Sequence, residues 1–193
     1  MEEKKPANFY FLNSKKWSEV VLDAGKFSTP QRYRGSTQID FFAKESPEIL
    51  EFTDPSASVS LSTSWRHALV VLHEQDKGEE GSASLKASCQ EWKELEEASM
   101  RLVNLTDSAL EIVFGSTDVH LAPNQNYDLN LGDFEDLYVP VQMFDADSEN
   151  RNLAYSKKLR INPEGRMLLM IRREPIDSNR LRVSTLSLDT DEP

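Results

Sequence analysis

Residues 66–71 read Arg-His-Ala-Leu-Val-Val, and residues 166–171 read Arg-Met-Leu-Leu-Met-Ile. Both stretches are short, apolar and bounded by charged or turn-forming residues, which is typical of β-strands. Just before each of them, apolar and polar residues alternate, as Val-Ser-Leu at residues 59–61 and Leu-Arg-Ile at residues 159–161. A period of two indicates half-buried strands, so the chain is predicted to be all-β.

The two stretches belong to a longer internal repeat. Residues 39–74 align with residues 139–174 without a gap, and the apolar positions keep their phase while the polar ones change freely. Earlier strand and turn signals align at slightly smaller offsets: Phe11-Leu12-Asn13 over Leu102-Val103-Asn104, Val21-Leu22 over Ile112-Val113, and Pro30-Gln31 over Pro123-Asn124. Such a period favours duplication of one supersecondary unit.

Each half of the repeat has the length and strand number of a small sandwich. We therefore predict two tandem immunoglobulin-like β-sandwich domains, residues 1–88 and 99–193, the second ending in an acidic tail. Residues 89–98 are predicted to be a short linker helix, because Ser88 and Glu91 have the spacing of a capping box.

Alternation also predicts which side chains point inward. For the first core these are Leu12, Val21, Ile39, Phe41, Val59, Leu61, Leu69 and Val71. For the second core they are Val103, Ile112, Val139, Val141, Leu159, Ile161, Leu169 and Ile171.

Composition excludes several classes of protein. The 193 residues include 22 Lys or Arg and 33 Asp or Glu, a net charge of −11, which predicts no nucleic-acid partner. No stretch approaches the roughly 18 apolar residues of a membrane span. Cys89 is the one cysteine, so an intrachain disulfide and a multi-cysteine zinc site are excluded. The apolar run at residues 9–12 is too short for a signal peptide, and the compartment stays open: periplasmic or extracellular if a leader has been removed.

Motifs for catalysis are missing, and no cofactor is expected. The sequence has no G-x-S-x-G, no P-loop and no G-x-G-x-x-G motif. His67 and His73 stand six residues apart on one predicted strand, too far to share a metal, and His120 lacks further ligands. Cys89 would stand at the start of the predicted helix. If its thiol were exposed there, the helix N-terminus would lower the pKa of the thiol.

One acidic loop, Asp145–Asn152, carries the oxygen ligands that calcium prefers. Arg151 opposes a cation there, and the loop lacks the glycine and the final glutamate of an EF-hand. A solvated hairpin loop is therefore favoured over a calcium site, and the alternative stays open.

Two tryptophans are the candidate partner contacts. Trp17 follows Lys15 and Lys16 in a turn-like stretch, and Trp65 aligns with Gly165, so the predicted cores explain neither. Exposed tryptophan stacks on sugars or anchors a protein partner.

The repeated half resembles the tandem β-sandwich repeats of uncharacterised bacterial envelope or secreted proteins. The signatures are Leu12-Asn13 with Val103-Asn104, Pro30-Gln31 with Pro123-Asn124, and residues 66–69 with 166–169. The resemblance implies an exported, non-catalytic module. The expected function is thus non-enzymatic binding or scaffolding, with a protein or an envelope polymer as partner. Two alternatives are a glycan hydrolase that uses a carboxylate pair and a structural protein that forms homo-oligomers.

Overall fold

A computed structural model describes residues 7–23, 26–43, 54–75, 84–146, 151–174 and 177–188. This part of the chain contains no α-helix and one 3-10 turn, Leu131–Asp133, so the prediction of an all-β chain is confirmed. No helix in it is long and apolar enough to cross a membrane. The strands are β1 Ala7–Asn13, β2 Lys16–Leu22, β3 Gln38–Phe41, β4 Ala57–Ser60, β5 Ala68–Gln75, β6 Ser84–Glu91, β7 Ser99–Asn104, β8 Leu110–Phe114, β9 Thr117–Leu121, β10 Asn126–Asn130, β11 Tyr138–Asp145, β12 Leu153–Arg160, β13 Arg166–Glu174 and β14 Asp177–Ser187.

The chain divides into two compact units, Met1–Trp92 and Lys93–Pro193. The predicted linker helix at residues 89–98 is wrong. Cys89 lies within β6, opposite Val70 of β5, and residues 92–98 reach β7 without a helical turn. Pairing with β5 gives residues 89–91 their backbone hydrogen bonds, which outweighs the local capping-box signal.

The second unit is a sandwich of two four-stranded sheets. One sheet has the order β10-β7-β13-β14 and the other has the order β12-β11-β8-β9. β7 and β13 are parallel neighbours, and all other pairs are antiparallel. Between the sheets lie fully buried side chains such as Met100, Leu102, Ile112, Phe114 and Ile171.

This strand order differs from the immunoglobulin order that the sequence suggests. In an immunoglobulin domain the third and sixth strands are neighbours. Here the third and sixth strands of the unit, β9 and β12, occupy opposite edges of one sheet. The cause is local: the two residues Gly115 and Ser116 join β8 and β9 as a hairpin, which keeps β9 in the sheet of β8.

The first unit has two layers. The hairpins β1-β2 and β3-β4 are joined where Tyr10 and Phe42 exchange two backbone hydrogen bonds of 2.9 Å, which gives the order β4-β3-β1-β2. The hairpin β5-β6 supplies the second layer. Phe9, Phe11 and Phe41 fill the core between the layers.

Both units therefore contain one sheet with the same pairing order. The register of β3 with β4 also recurs exactly one hundred residues later: Gln38 faces Ser60, and Tyr138 faces Arg160. The predicted alignment of β1 with β7 is wrong, because β1 forms a hairpin with β2, whereas β7 pairs with β10 and β13. In its sheet, β1 has the place that β8 has in the sheet of the second unit.

Most of the predicted core is correct for the second unit, where Leu159 is only half-buried and Leu102, rather than the buried Val103, packs between the sheets. The prediction is only partly correct for the first unit, where Val70 and Leu72, rather than Leu69 and Val71, pack on the core. Ile39, Phe41 and Val59 are buried as expected. Leu12 and Val21 are 49% and 51% exposed, so their predicted inward orientation is wrong. Phe9 and Phe11 point inward instead, since every residue from Phe9 to Leu12 is apolar or aromatic and the sequence there does not reveal the phase of the strand.

Candidate functional site

The outer face of the first unit's sheet carries a depression of about 670 Å³, which we call the aromatic depression. It lies over β1, β2 and β3 and the segment that precedes β3. The lining residues that matter here are the apolar and aromatic Leu12, Trp17, Tyr33 and Phe42, the polar Gln38 and Asp40, and the cationic Lys15 and Arg34.

Trp17 is at the centre of the apolar part. It lies directly opposite Leu12 in the β1-β2 register, so both side chains are on the outer face. The Trp17 ring makes an edge-to-face contact with Phe42, with ring centroids 5.4 Å apart and an interplanar angle of 89°. Trp17 is half-buried and Leu12 is half-exposed, so apolar surface faces water along this face.

Tyr33 forms one wall of the aromatic depression. Its ring packs on Phe11 of the core at 6.2 Å between centroids, and its hydroxyl donates to the Ser36 carbonyl at 2.9 Å. Gly35 lies against the Tyr33 ring so closely that a Cβ there would collide with the hydroxyl. The ring is thus fixed from both sides.

Asp40 provides the polar wall. Its Oδ1 accepts hydrogen bonds from Gln38 Nε2 at 2.9 Å and from Ser58 Oγ at 2.6 Å. Gln38 and Asp40 are neighbours on the outer face of β3, and Ser58 is opposite Asp40 on β4. This network orients the Asp40 carboxylate as a hydrogen-bond acceptor on the open side of the sheet.

The turn that carries Lys15 is held beside Arg34 by hydrogen bonds to the backbone of residues 32 and 34. The Ser14 amide and the Ser14 hydroxyl both donate to the Arg34 carbonyl, at 2.7 and 2.8 Å. Asn13 adds two bonds, from its side-chain amide to the Arg32 carbonyl at 2.8 Å and from the Arg34 amide to its Oδ1 at 2.9 Å. These bonds hold the β1-β2 turn against residues 32–34, although Ser14 and Lys15 have positive φ angles of 50° and 67°.

Trp65, the second predicted contact, lies elsewhere. It follows β4 in a turn in which its amide donates to the Ser62 carbonyl at 3.3 Å, and it does not line the aromatic depression. The structure therefore places Trp17, but not Trp65, in a concave surface. Sequence reasoning missed Asp40, Tyr33, Phe42, Lys15 and Arg34, because only the fold brings them together.

At the predicted calcium loop, Asp145 and Arg151 form ion pairs with other parts of the fold. Asp145 is bound by Arg173, with Arg173 Nη2 2.5 Å from Asp145 Oδ1, and Arg151 pairs with Glu111 at 3.0 Å. Both ion pairs compete with a calcium ion at the predicted loop, of which residues 147–150 lie outside the described residues. Within the described ranges, no three His, Cys, Asp or Glu side chains are grouped for a metal.

The three histidines and the cysteine lie in strands or next to them. His73 is buried on β5, where its Nε2 is 3.2 Å from Ser88 Oγ, while His67 and His120 are exposed. The Cys89 thiol donates to the Ser60 carbonyl at 3.1 Å, and burial raises its pKa above the usual 9.0. The lowered thiol pKa expected at a helix start is therefore wrong, because Cys89 lies in a strand and not at a helix N-terminus.

The second unit offers a much smaller depression of about 160 Å³, beside Phe134 and Tyr138. The charged Arg101, buried within the described part of this unit, serves the fold. Its guanidinium makes two 2.7 Å bonds to Asp128, its register partner on β10, and one to the Lys93 carbonyl. Comparison with known proteins found that no protein-family model and no curated protein matches the chain.

Proposed function

We propose that the chain is a non-enzymatic binding module and that the aromatic depression is its binding surface, with a protein or an envelope polymer as the partner. The observation that carries the proposal is the exposure of Leu12 and the position of Trp17 on the same outer face. Contiguous apolar surface rimmed by polar groups is typical of interaction sites. Isolated exposed side chains would carry no such implication.

The polar groups favour binding over hydrolysis. A glycoside hydrolase needs two carboxyl groups that flank the bond to be cleaved. Among the described residues that line the aromatic depression, Asp40 is the one carboxylate, and two donors already occupy its Oδ1. This arrangement suits the recognition of a ligand hydroxyl or amide, and it supplies no second carboxylate.

Duplication of one sandwich unit is also part of this proposal. Three observations support it: the shared orders β4-β3-β1-β2 and β12-β11-β8-β9, the β3-β4 register that recurs at a spacing of one hundred residues, and the position of β4 beside β6 as β12 lies beside β14. Strands β3 to β5 should superimpose as one set on strands β11 to β13 in a crystal structure of the chain. Failure to do so would remove the duplication and leave the binding surface unaffected.

The binding proposal is tested with a panel of immobilised cell-envelope polysaccharides and peptidoglycan. The wild-type chain should be retained by at least one member of the panel, and Trp17→Ala should lose that retention. Trp65→Ala is the matched control, since it removes a half-buried tryptophan outside the aromatic depression. Equal behaviour of the wild-type chain and Trp17→Ala on every member would contradict the proposal.

A further inference from the structure

The region around the aromatic depression carries positive charge in an otherwise acidic chain. Residues 7–43 contain five Lys or Arg and three Asp or Glu, whereas the whole chain has a net charge of −11. Lys15 and Arg34 line the depression, and Lys16 and Arg32 adjoin them in sequence. All four are exposed, and Lys15 and Arg34 form no ion pair with a described residue.

From this combination we infer that the aromatic depression binds an acidic polysaccharide, a chain of sugar rings that carry carboxylate or sulfate groups. The inference rests on the proposed function and names its ligand class. Three features of the site correspond to three features of such a ligand: an apolar ring face, hydroxyl groups and a negative charge.

Trp17 and Leu12 match the ring face. The C–H face of a pyranose is apolar, and it buries area against an indole as another apolar group would. Phe42 supports the Trp17 ring edge-to-face at 5.4 Å, so the indole is held in place before a ligand arrives. A rigid aromatic side chain loses little conformational entropy on binding.

Asp40 and Gln38 match the hydroxyls. Asp40 Oδ2 takes no part in the two hydrogen bonds that orient this carboxylate, which both end on Oδ1. A sugar hydroxyl can donate to this oxygen, and a carboxylate acceptor makes a stronger hydrogen bond than a neutral one. An acidic peptide such as polyglutamate carries negative charge but no side-chain hydroxyl, so it cannot satisfy this acceptor in the same way.

Lys15 and Arg34 match the charge. The hydrogen bonds of Asn13 and Ser14 to the Arg34 backbone hold the turn that carries Lys15 beside Arg34. Arginine presents a planar fork that pairs with a carboxylate or sulfate. The remaining net negative charge of the chain disfavours duplex nucleic acid, which needs a wide basic surface.

Isothermal titration with polygalacturonate, dextran, poly-L-glutamate and single-stranded DNA tests the inference on the full chain. Polygalacturonate should bind, and its affinity should fall with added salt, because exposed charges are screened. Dextran, which has sugar rings without charge, and poly-L-glutamate, which has charge without sugar rings, should each bind at least about tenfold more weakly.

Variants assign the binding to the site. Trp17→Ala and the double variant Lys15→Ala/Arg34→Ala should each weaken polygalacturonate binding by about tenfold or more. The matched controls are Trp65→Ala and Lys158→Ala/Arg160→Ala, which remove the same residue types from exposed or half-exposed positions outside the depression. The Arg34 bonds to Asn13 and Ser14 use only its backbone, so removal of its side chain leaves the turn intact.

The outcomes separate the two proposals. If dextran, poly-L-glutamate or DNA binds as tightly as polygalacturonate, the assignment of an acidic polysaccharide as ligand is wrong. It is also wrong if polygalacturonate does not bind, or if Lys15→Ala/Arg34→Ala binds it as tightly as the wild-type chain does. The binding module itself would survive each of those results if the polymer panel still distinguished the wild-type chain from Trp17→Ala. Circular dichroism of every variant confirms that a loss of binding is not a loss of fold.

Discussion

Lys15 occupies a backbone conformation that glycine usually fills. Its φ angle is 67°, in the left-handed region, where a side chain costs an L-residue about 1 kcal/mol. The following Lys16 begins β2, so the turn has two residues, a length for which Asn-Gly is the common sequence. The chain thus keeps a lysine at the aromatic depression in a position where glycine would make the fold more stable.

Lys15→Gly should therefore raise stability and lower binding at once. We expect the free energy of unfolding to rise by about 0.5 to 1 kcal/mol, because the relief of strain exceeds the added entropy of glycine in the unfolded chain. Polygalacturonate affinity should fall. Ala98→Gly is the control, since Ala98 has a φ angle of 53° in the second unit and lies outside the depression. A loss of stability in Lys15→Gly would contradict the assignment of strain.

Because of Cys89, the stability of the first unit should decrease at alkaline pH. Burial raises the pKa of its thiol above 9.0, so the neutral thiol is favoured in the folded state. For a raised pKa, the stabilisation is complete below the pKa of the unfolded chain and is lost as the pH passes the pKa of the folded chain. The free energy of unfolding should therefore decrease above about pH 9.

Alkylation of the folded protein measures the same property. At pH 8 the thiolate fraction of Cys89 is smaller than that of a free cysteine, so iodoacetamide should react more slowly with the folded chain than with the unfolded chain. Cys89→Ala should remove part of the alkaline loss of stability. Equal alkylation rates in the folded and unfolded chains would contradict the prediction.

At the level of elements, an ion pair joins strand β10 to β7 in addition to the antiparallel pairing of their backbones. Arg101 of β7 is 3% exposed and holds Asp128 of β10 through two 2.7 Å bonds. Asp128→Asn removes the negative partner of a buried guanidinium and should cost about 2 kcal/mol of stability, measured by urea unfolding. Asp118→Asn on the exposed face of β9 is the matched control and should change stability little. Equal effects of the two variants would show that the pair does not secure β10.

Element positions could be predicted from the sequence where polar and apolar residues alternate. Strands β3 and β4 follow such a pattern, which correctly predicts Ile39, Phe41 and Val59 in the core. The run Phe9-Tyr10-Phe11-Leu12 has no alternation, so the phase of β1 followed only from its pairing.

The binding surface was less accessible to sequence reasoning. The sequence predicts Trp17 as a contact, but in a turn-like stretch and not in β2, because Ser14-Lys15 lacks the glycine or asparagine that marks a two-residue turn. Lys15 and Arg34 are nineteen positions apart and meet only through the hydrogen bonds of Asn13 and Ser14. Bonds of that kind join side chains to backbone across a fold and leave no periodic signal in the sequence.

At the level of the whole molecule, the two units differ in the size of their cores. Among the described residues, the buried apolar cluster of the second unit has eighteen members and that of the first has five. Buried apolar area is the main source of stability, so the first unit should unfold at a lower denaturant concentration. The unit that carries the proposed binding surface is thus the less stable of the two.

The positions of the tryptophans allow a direct measurement of this difference. Trp17, Trp65 and Trp92 all belong to the first unit, so intrinsic fluorescence reports on that unit, whereas far-ultraviolet circular dichroism reports on both. We expect the fluorescence transition in urea to precede the main dichroism transition. Saturating polygalacturonate should shift the fluorescence midpoint upward and leave the later transition unchanged, because a ligand stabilises only the unit that binds it. Coincident transitions would mean that the units unfold together, and a shift of the later transition alone would place the ligand on the second unit.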